Sequence, residues 1–600
     1  MESNRTPIKL HVPSPTQKQL SFCQANVDGI TNWAKNLPMA NTGEAARQLY
    51  QAIRELNQLH AQPLLRFKLL EVMRPYIYSI GTLLAKHFLQ TSVSLNERQL
   101  KIANLSQSLQ AHLATGYKLV VVDSIASLSP SDKPSKIVST SIHRAITDTT
   151  STILRAFQLY CHPPEHAWSE INQLFFLAKI RNLENLKVND TQNRYLSTSD
   201  ISAAFIRAHL LGTAKPNNLR QQDLIQLYDA TELWAHRVYI TDSDDESALF
   251  IINLHRDRVA QYRQHLRDEQ KPLFCSLNTS GLVEDLTSYA ANPQGTSNIT
   301  VPGKMTDNLL THAIQAWGIH WQRSFRRMPT EGNLRLCIGL SATHYYVAGK
   351  KDFEKVKAEL RPLETEKRPG SDVDTGKRSS DDVWAGAFDA GGSAIPENSS
   401  MNIDTIDFIN KHKQEDEHDT TTKYPSHEVS LINTSPGGYC LQWLGELPAS
   451  IQAGEILGIQ EAGVHHWAIA AIRWIRHLGK SGTQLGIELL APKAEAGAAQ
   501  LLQKTGSNGD YMRSLLLPGI KAIAQPATLI LSRMPFRTGN KVHLLHQDNH
   551  GRYQLVKRII STNSFSQFQF RDSGIKPNAQ SLHQDNDLKE DDFDSLWNKL

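Results

Sequence analysis

The chain has 600 residues and a formal net charge of +4, from 64 basic and 60 acidic side chains. This length exceeds what one hydrophobic core sustains, so we expect about three or four domains. The near balance of charge disfavours a dominant nucleic-acid surface, which needs a large basic excess. With neither a signal peptide nor an apolar run long enough to span a membrane, the chain is expected to be cytoplasmic.

Residues 1–240 are predicted to form an all-α domain. In segment 43–60, apolar residues recur every three or four positions, as on one buried face of a helix: Ala45, Leu49, Ile53 and Leu56. Similar segments follow, separated by short Pro, Asn and Gly breaks. We expect a helical bundle or an irregular array of helices.

The pattern changes near residue 245. Apolar runs at 248–257, 271–282 and 334–349 are typical of strands, and 305–327 is typical of a helix. We therefore expect a middle α+β module over 245–360. Residues 361–426 are polar, charged and without periodicity, which predicts a flexible linker.

Strand patterns return at residue 427. Short apolar segments separated by turns predict an antiparallel β-barrel over 427–500, and a second set of strands over 520–572 packs on the barrel or beside it. The tail, 573–600, is acidic and then apolar at Phe593, Leu596, Trp597 and Leu600. Three outcomes are open for such a tail: docking on the chain itself, docking on a protein partner, or fraying. The predicted fold class is thus multidomain α+β, with helices first and a β-barrel last.

The sequence gives little support for catalysis. His162 and His166 match the spacing of an HxxEH zinc site, but Pro163 and Pro164 cannot lie inside a continuous helix. We interpret this segment as the junction of two helices. The five cysteines are scattered without a CxxC pair, which argues against a disulfide framework or a cysteine zinc site. We expect no enzyme, no catalytic residue, no metal and no cofactor.

The segment Asn-Thr-Ser-Pro-Gly-Gly, 433–438, fits the pattern [D/N]xSxxG between two apolar runs. Strand-like segments follow it at 454–461, 467–478 and 485–492. This combination resembles the PilZ domain, a small β-barrel of bacterial cyclic-di-GMP receptors. The resemblance covers about 427–495 and implies that the predicted barrel is PilZ-like and that cyclic-di-GMP is its ligand.

The resemblance also implies ligand residues at this corner: Asn433, Ser435 and Gly438. An amide and a hydroxyl at a strand end can hydrogen-bond the edge of a guanine. A glycine lets the backbone turn with positive φ, so that these side chains face the ligand.

A second motif of the family, RxxxR, lies where the chain enters the barrel, and its arginines bind phosphates and stack on guanine. The segment 411–432, directly before the corner, contains no arginine. An RxxxR occurs instead as Arg533 to Arg537, and we include both arginines among the candidate ligand residues. Arg473 and Arg476 are a further candidate source of positive charge.

We therefore expect a cyclic-di-GMP-binding signalling receptor or effector without catalytic activity, which the resemblance links to motility, pili or biofilm formation. The expected partners are this ligand and a protein bound through the tail, with no nucleic acid and no membrane span. The alternative is an interaction scaffold whose degenerate PilZ-like barrel no longer binds nucleotide. In that case Asn433 only caps the turn and Ser435 bonds the local backbone.

Overall fold

The computed structural model describes residues 9–89, 93–126, 136–242, 245–265, 274–319, 327–361, 423–503, 508–519, 526–547 and 549–573. The predicted linker lies almost entirely outside these residues, as does the predicted tail. The chain forms two compact units. Unit 1 comprises Met1–Gly332, Val429–Gly454 and Ile472–Glu488, and unit 2 comprises Asn333–Glu428, Glu455–Ala471 and Leu489–Leu600.

Helices dominate the first part of unit 1. Its described α-helices are α1 (Val27–Lys35), α2 (Thr42–Gln58), α3 (Pro63–Ala85), α4 (Glu97–Ala126), α5 (Lys136–Gln158), α6 (Ala167–Ile180), α7 (Ile201–Thr213), α8 (Gln221–Trp234), α9 (Ser280–Ala291) and α10 (Asp307–Gly318). Helix α2 shows why they form: the side chain of Asn41 caps it by accepting a hydrogen bond from Glu44 N, and its predicted apolar stripe is fully buried. The predicted N-terminal helical region is confirmed, with only short strands between its helices.

A group of charged side chains lies inside this helical core. Arg74 and Arg144 both pair with the buried carboxylate of Asp190, at 2.6 and 2.7 Å. The hydroxyl of Tyr78 donates to Asp148 Oδ1 at 2.5 Å. Burial raises the pKa of Asp148 to about 6. Burial alone would also raise the pKa of Asp190, but the hydrogen bond from Arg74 and the charges of both arginines lower it to about 2.

The strands follow in chain order. They are β1 (Val188–Asn189), β2 (Thr198–Ser199), β3 (Tyr239–Thr241), β4 (Phe250–Asn253), β5 (Gln261–Tyr262), β6 (Phe274–Asn278), β7 (Met328–Pro329), β8 (Asn333–Ile338), β9 (His427–Ser435), β10 (Gly438–Trp443), β11 (Ile456–Glu461), β12 (Ala468–His477), β13 (Thr483–Ala491), β14 (Glu495–Leu502), β15 (Tyr511–Leu517), β16 (Thr528–Ser532), β17 (Lys541–Leu545), β18 (Gly551–Ser561) and β19 (Phe565–Asp572). Unit 1 contains an antiparallel sheet in the order β3-β6-β4-β5. It also contains the antiparallel pairs β7–β9, β9–β10 and β10–β13.

Unit 2 is mainly antiparallel β-structure. Strand β8 pairs with β11, and β11 pairs with the first half of β12. Strands β14-β15-β16-β19-β18-β17 form a closed barrel, which leaves no free sheet edge. Two helices, α11 (Leu340–Val347) and α12 (Phe353–Leu360), pack against this β-structure, and Leu340 of α11 is buried with Leu515 and Ile530 of the barrel.

The predicted fold class is confirmed, but the structure differs from the sequence pattern in three places. The segment 334–349 is a strand only to Ile338; the backbone turns at Gly339, whose φ is +90°, and α11 follows. Strands β7 and β8, from the range of the predicted middle module, pair with β9 and β11 of the range assigned to the PilZ-like barrel. Strands β14 and β15 pair with the second strand set. Pairing joins residues far apart in the chain, so local periodicity does not reveal it.

Candidate functional site

The segment 431–443 forms a tight β-hairpin. Strand β9 ends at Ser435, Pro436 and Gly437 make the turn, and β10 begins at Gly438. Ser435 lies opposite Gly438, and its hydroxyl donates to the carbonyl oxygen of Gly438 at 3.2 Å. The predicted strand–turn–strand corner is therefore confirmed.

Two glycines allow close packing around this corner. Gly438 has a φ of +151°, and a Cβ there would overlap the carbonyl oxygen of Ile487 on β13. A Cβ on Gly486 would overlap the indole of Trp474. Any other residue at either position would push the backbone or the indole away. Both glycines thus shape the space beside the corner.

That space is a cavity of about 270 Å³ within unit 1. The corner contributes Ser435 and Gly438, and the residue before β7 contributes the exposed Arg327. Strand β12 adds Arg473 and Trp474. The lining therefore combines two cations, an aromatic surface and a hydroxyl.

One acid faces these cations. Glu488 on β13 also lines the cavity and forms an ion pair with Arg473. Both side chains are partly exposed, at 33% for Arg473 and 44% for Glu488. Solvent therefore reaches the pair, and a ligand could compete for the Arg473 guanidinium.

The arrangement suits a phosphate attached to an aromatic base. Guanidinium groups donate paired hydrogen bonds to phosphate oxygens, and an indole supplies a stacking surface. Enclosed pockets for drug-sized ligands span roughly 300–1,000 Å³, so a dinucleotide would fill this cavity and remain partly in solvent.

The structure brings together two of the five predicted ligand residues. Ser435 and Gly438 line the cavity. Asn433 lies within β9, opposite Cys440, and is not among the described residues that form the lining. Arg533 and Arg537 lie in unit 2, in the loop between β16 and β17. There Arg533 Nη1 donates to Asn563 Oδ1 at 2.9 Å.

Sequence reasoning missed Arg327. The segment Arg323-Ser-Phe-Arg-Arg327 fits RxxxR and directly precedes β7, although Arg323 itself lies outside the described residues. Strand β7 pairs with β9, Met328 opposite Thr434, and this pairing places Arg327 beside the corner. The motif was visible in the sequence, but about a hundred residues separate it from Asn433. A search limited to the residues just before the corner could not find it.

Strand β12 also contacts the helical part of unit 1. His477 N donates to the carbonyl oxygen of Tyr160 at 2.8 Å, and His477 Nε2 lies 3.0 Å from the carbonyl oxygen of Val93. The guanidinium of Arg476 donates to His162 Nε2 at 2.6 Å. These contacts begin only two residues after Trp474, so one strand serves both the cavity and the helices.

The HxxEH segment has a structural explanation. Pro163 and Pro164 lie between α5 and α6, as predicted. His166 stacks on His11 with ring centroids 4.1 Å apart. Within the described ranges, no group of three or more His, Cys, Asp or Glu side chains is placed to hold a metal ion.

A hairpin corner with arginines around an aromatic-lined cavity is typical of a β-domain of the nucleotide-receptor type. Family models match the whole architecture: the N-terminal domain of the cyclic-di-GMP receptor FimW at 28–245, its middle PilZ domain at 249–496, and its C-terminal β-barrel domain at 497–573. A relative described as cyclic-di-GMP receptor FimW, from Pseudomonas aeruginosa PAO1, is 38% identical over 622 residues, covering 100% of both chains. The chain therefore belongs to the FimW family of cyclic-di-GMP receptors, and the resemblance to the PilZ domain is confirmed.

Two further findings complete the comparison. No solved structure matches the chain. Among the residues that the structure describes, no helix is both long and apolar enough to cross a membrane.

Proposed function

We propose that the chain is a cytoplasmic, non-catalytic receptor that binds cyclic-di-GMP in the cavity at the β9–β10 corner, with an output in motility, pili or biofilm formation. One observation carries the proposal: strand pairing gathers Arg327, Ser435 and Gly438 around a single cavity. These residues come from the two sequence motifs that the family shares. The relative from P. aeruginosa is itself described as a cyclic-di-GMP receptor.

The lining suggests a role for each group. Arg327 binds phosphate oxygens, and Trp474 stacks on a guanine. The Ser435 hydroxyl already bonds the Gly438 carbonyl and keeps its lone pairs for a guanine N–H. Asn433 lies two positions before Ser435 on β9 and so on the same face of the strand. It can reach a part of the dinucleotide that lies outside the cavity.

Calorimetric titration of cyclic-di-GMP into the full chain tests the proposal. A charge-assisted hydrogen bond contributes about 2 kcal/mol, so Arg327→Ala should weaken binding about 30-fold. Ser435→Ala should weaken binding by a smaller factor. Arg533→Ala removes an equal charge from unit 2 and serves as the matched control, with unchanged affinity expected. Loss of binding in the control variant, with Arg327→Ala unaffected, would move the ligand to Arg533 and Arg537.

The scaffold alternative also has one observation in its favour. Glu488 neutralises the charge of Arg473, so that Arg327 is the cation of the described lining that Glu488 does not neutralise. A single such cation offers little charge for two phosphates. No heat and no thermal stabilisation at about 100 μM cyclic-di-GMP would support the scaffold, because a ligand at 100 times its Kd stabilises a protein by about 2.7 kcal/mol.

A further inference from the structure

The outer face of the C-terminal barrel is strongly basic on one side. On strands β17, β18 and β19 of unit 2, Lys541 lies opposite Gln554, and Gln554 lies opposite Arg571. His543 lies opposite Arg552 in the same ladder. Directly opposed residues point to the same side of a sheet, so these cations share one exposed face. Lys557 lies opposite Gln569 and extends this exposed face along β18. We call Lys541, Arg552, Lys557 and Arg571 the basic face.

One exposed acid, Asp572 on β19, follows Arg571 and lies opposite Tyr553. Among the described residues, no carboxylate lies within ion-pair distance of Lys541, Arg552 or Lys557. Residues 497–573 carry ten lysines and arginines against three aspartates. The whole chain is close to neutral, so its acidic residues must be concentrated elsewhere.

Two exposed apolar side chains lie beside the basic face. Strand β18 has register shifts between Leu555 and Lys557 and between Arg558 and Ile560. Such bulges re-aim side chains, and here the skipped residues Val556 and Ile559 are 42% and 43% exposed. The exposed side chains of Val556 and Ile559 therefore lie close to Lys557 of the basic face. This pattern fits a partner segment that is both acidic and apolar.

The chain carries such a segment. Residues 585–594 contain six acids: Asp585, Asp587, Glu590, Asp591, Asp592 and Asp594. Four apolar residues overlap and follow them at helical spacing: Phe593, Leu596, Trp597 and Leu600. The composition is complementary to the barrel surface in both charge and apolar content.

The acidic segment is also tethered close to the basic face. Ser573, the last described residue, donates from its backbone N and its Oγ to the carbonyl oxygen of Arg552, at 3.0 and 2.8 Å. Eleven residues, 574–584, then precede the first acid. They can span up to about 36 Å, whereas Arg552 to Ile559 covers roughly 23 Å along β18. The tether is long enough, and it gives a local concentration of about a millimolar.

We propose that residues 585–600 of this chain dock in cis on the basic face of the C-terminal barrel. The carboxylates bind Lys557 and the other cations of the basic face, while the apolar side chains cover Val556 and Ile559. A partner that takes this face must first displace the tail.

A competition experiment on the full chain tests this. The probe is a fluorescently labelled peptide of residues 584–600, and its binding is measured by fluorescence anisotropy. It is titrated with the wild-type chain and with a full-length neutralised variant, in which all six acids are changed to Asn or Gln. We expect the peptide to bind this neutralised variant at least about tenfold more tightly than the wild-type chain, whose own tail occupies the face. Adding Arg552→Gln and Lys557→Gln to the neutralised variant should weaken binding about tenfold, and high salt should do the same. Lys355→Gln, an exposed charge on α12, is the matched control with no expected effect.

Three results would overturn the proposal. Equal peptide affinity for the wild-type and neutralised chains would show that the tail does not occupy the face. Absence of binding to a neutralised variant with unchanged thermal unfolding would show that the face does not recognise the segment. A wild-type dimer in sedimentation that dissociates on neutralisation would mean that the tail docks on a second copy instead.

Discussion

Glu488→Gln should increase the affinity for cyclic-di-GMP. In the free protein the carboxylate of Glu488 holds the Arg473 guanidinium, and both side chains line the proposed ligand cavity. The amide keeps the size of the side chain and removes its charge. The variant therefore frees Arg473 for phosphate and removes a negative charge that would repel the ligand.

Two contributions set the magnitude. A partly exposed ion pair contributes about 0.5 kcal/mol, which the ligand must replace. A carboxylate about 6 Å from a phosphate in water-like surroundings is repelled by about 0.7 kcal/mol. Together they give roughly 1 kcal/mol, or about fivefold tighter binding.

Calorimetry at two salt concentrations measures this effect. The gain should shrink as salt rises toward about 1 M, where the Debye length falls to about 3 Å. Glu446→Gln, an exposed acid in the loop after β10, is the matched control and should leave the affinity unchanged. Unchanged or weaker binding by Glu488→Gln at low salt would refute the reasoning, since Glu488 would then position Arg473 for the ligand rather than compete with it.

Three further predictions concern stability. Gly438→Ala should lower the free energy of unfolding by more than about 2 kcal/mol, because the new methyl overlaps the Ile487 carbonyl at a positive φ. Urea unfolding measures this, and Gly43→Ala on α2, where a Cβ makes only an ordinary contact with Asn41, is the near-neutral control. Asp148 has a raised pKa of about 6, so its contribution to stability is full below about pH 4 and is lost as pH rises through 6. When the pH is lowered from 7 to 5, the free energy of unfolding of the wild-type chain should therefore rise by about 1 kcal/mol, whereas that of Asp148→Asn should not show this rise. Parallel pH dependences of the two proteins would contradict this prediction. His477→Ala should cost about 1 kcal/mol through the lost bond to the Val93 carbonyl, which thermal unfolding measures, whereas Arg476→Ala, at an exposed contact, should cost much less.

Local sequence patterns were sufficient for many of the elements but not for the complete site. The stripe on α2 and the β9–β10 corner follow from spacing and from turn residues, which act over a few positions. The contribution of Arg327 depends on the pairing of β7 with β9, which joins residues about a hundred positions apart. Nothing in the composition of 328–338 reveals that pairing. The basic face of the barrel is equally invisible in the sequence, because its cations come from three strands and meet only through their register.

Strand β12 has a thermodynamic consequence that extends beyond ligand binding. Arg473 and Trp474 lie at the cavity, while Arg476 and His477 bond the helical part of unit 1. If the bound and free states differ in the position of this strand, the helical contacts and the ligand share one free energy of coupling. A partner that loosens the helices from β12 would then change the affinity of the chain for the nucleotide. By reciprocity, the nucleotide would change the affinity of the chain for that partner by the same factor. The receptor would then report nucleotide concentration and partner occupancy in a single equilibrium.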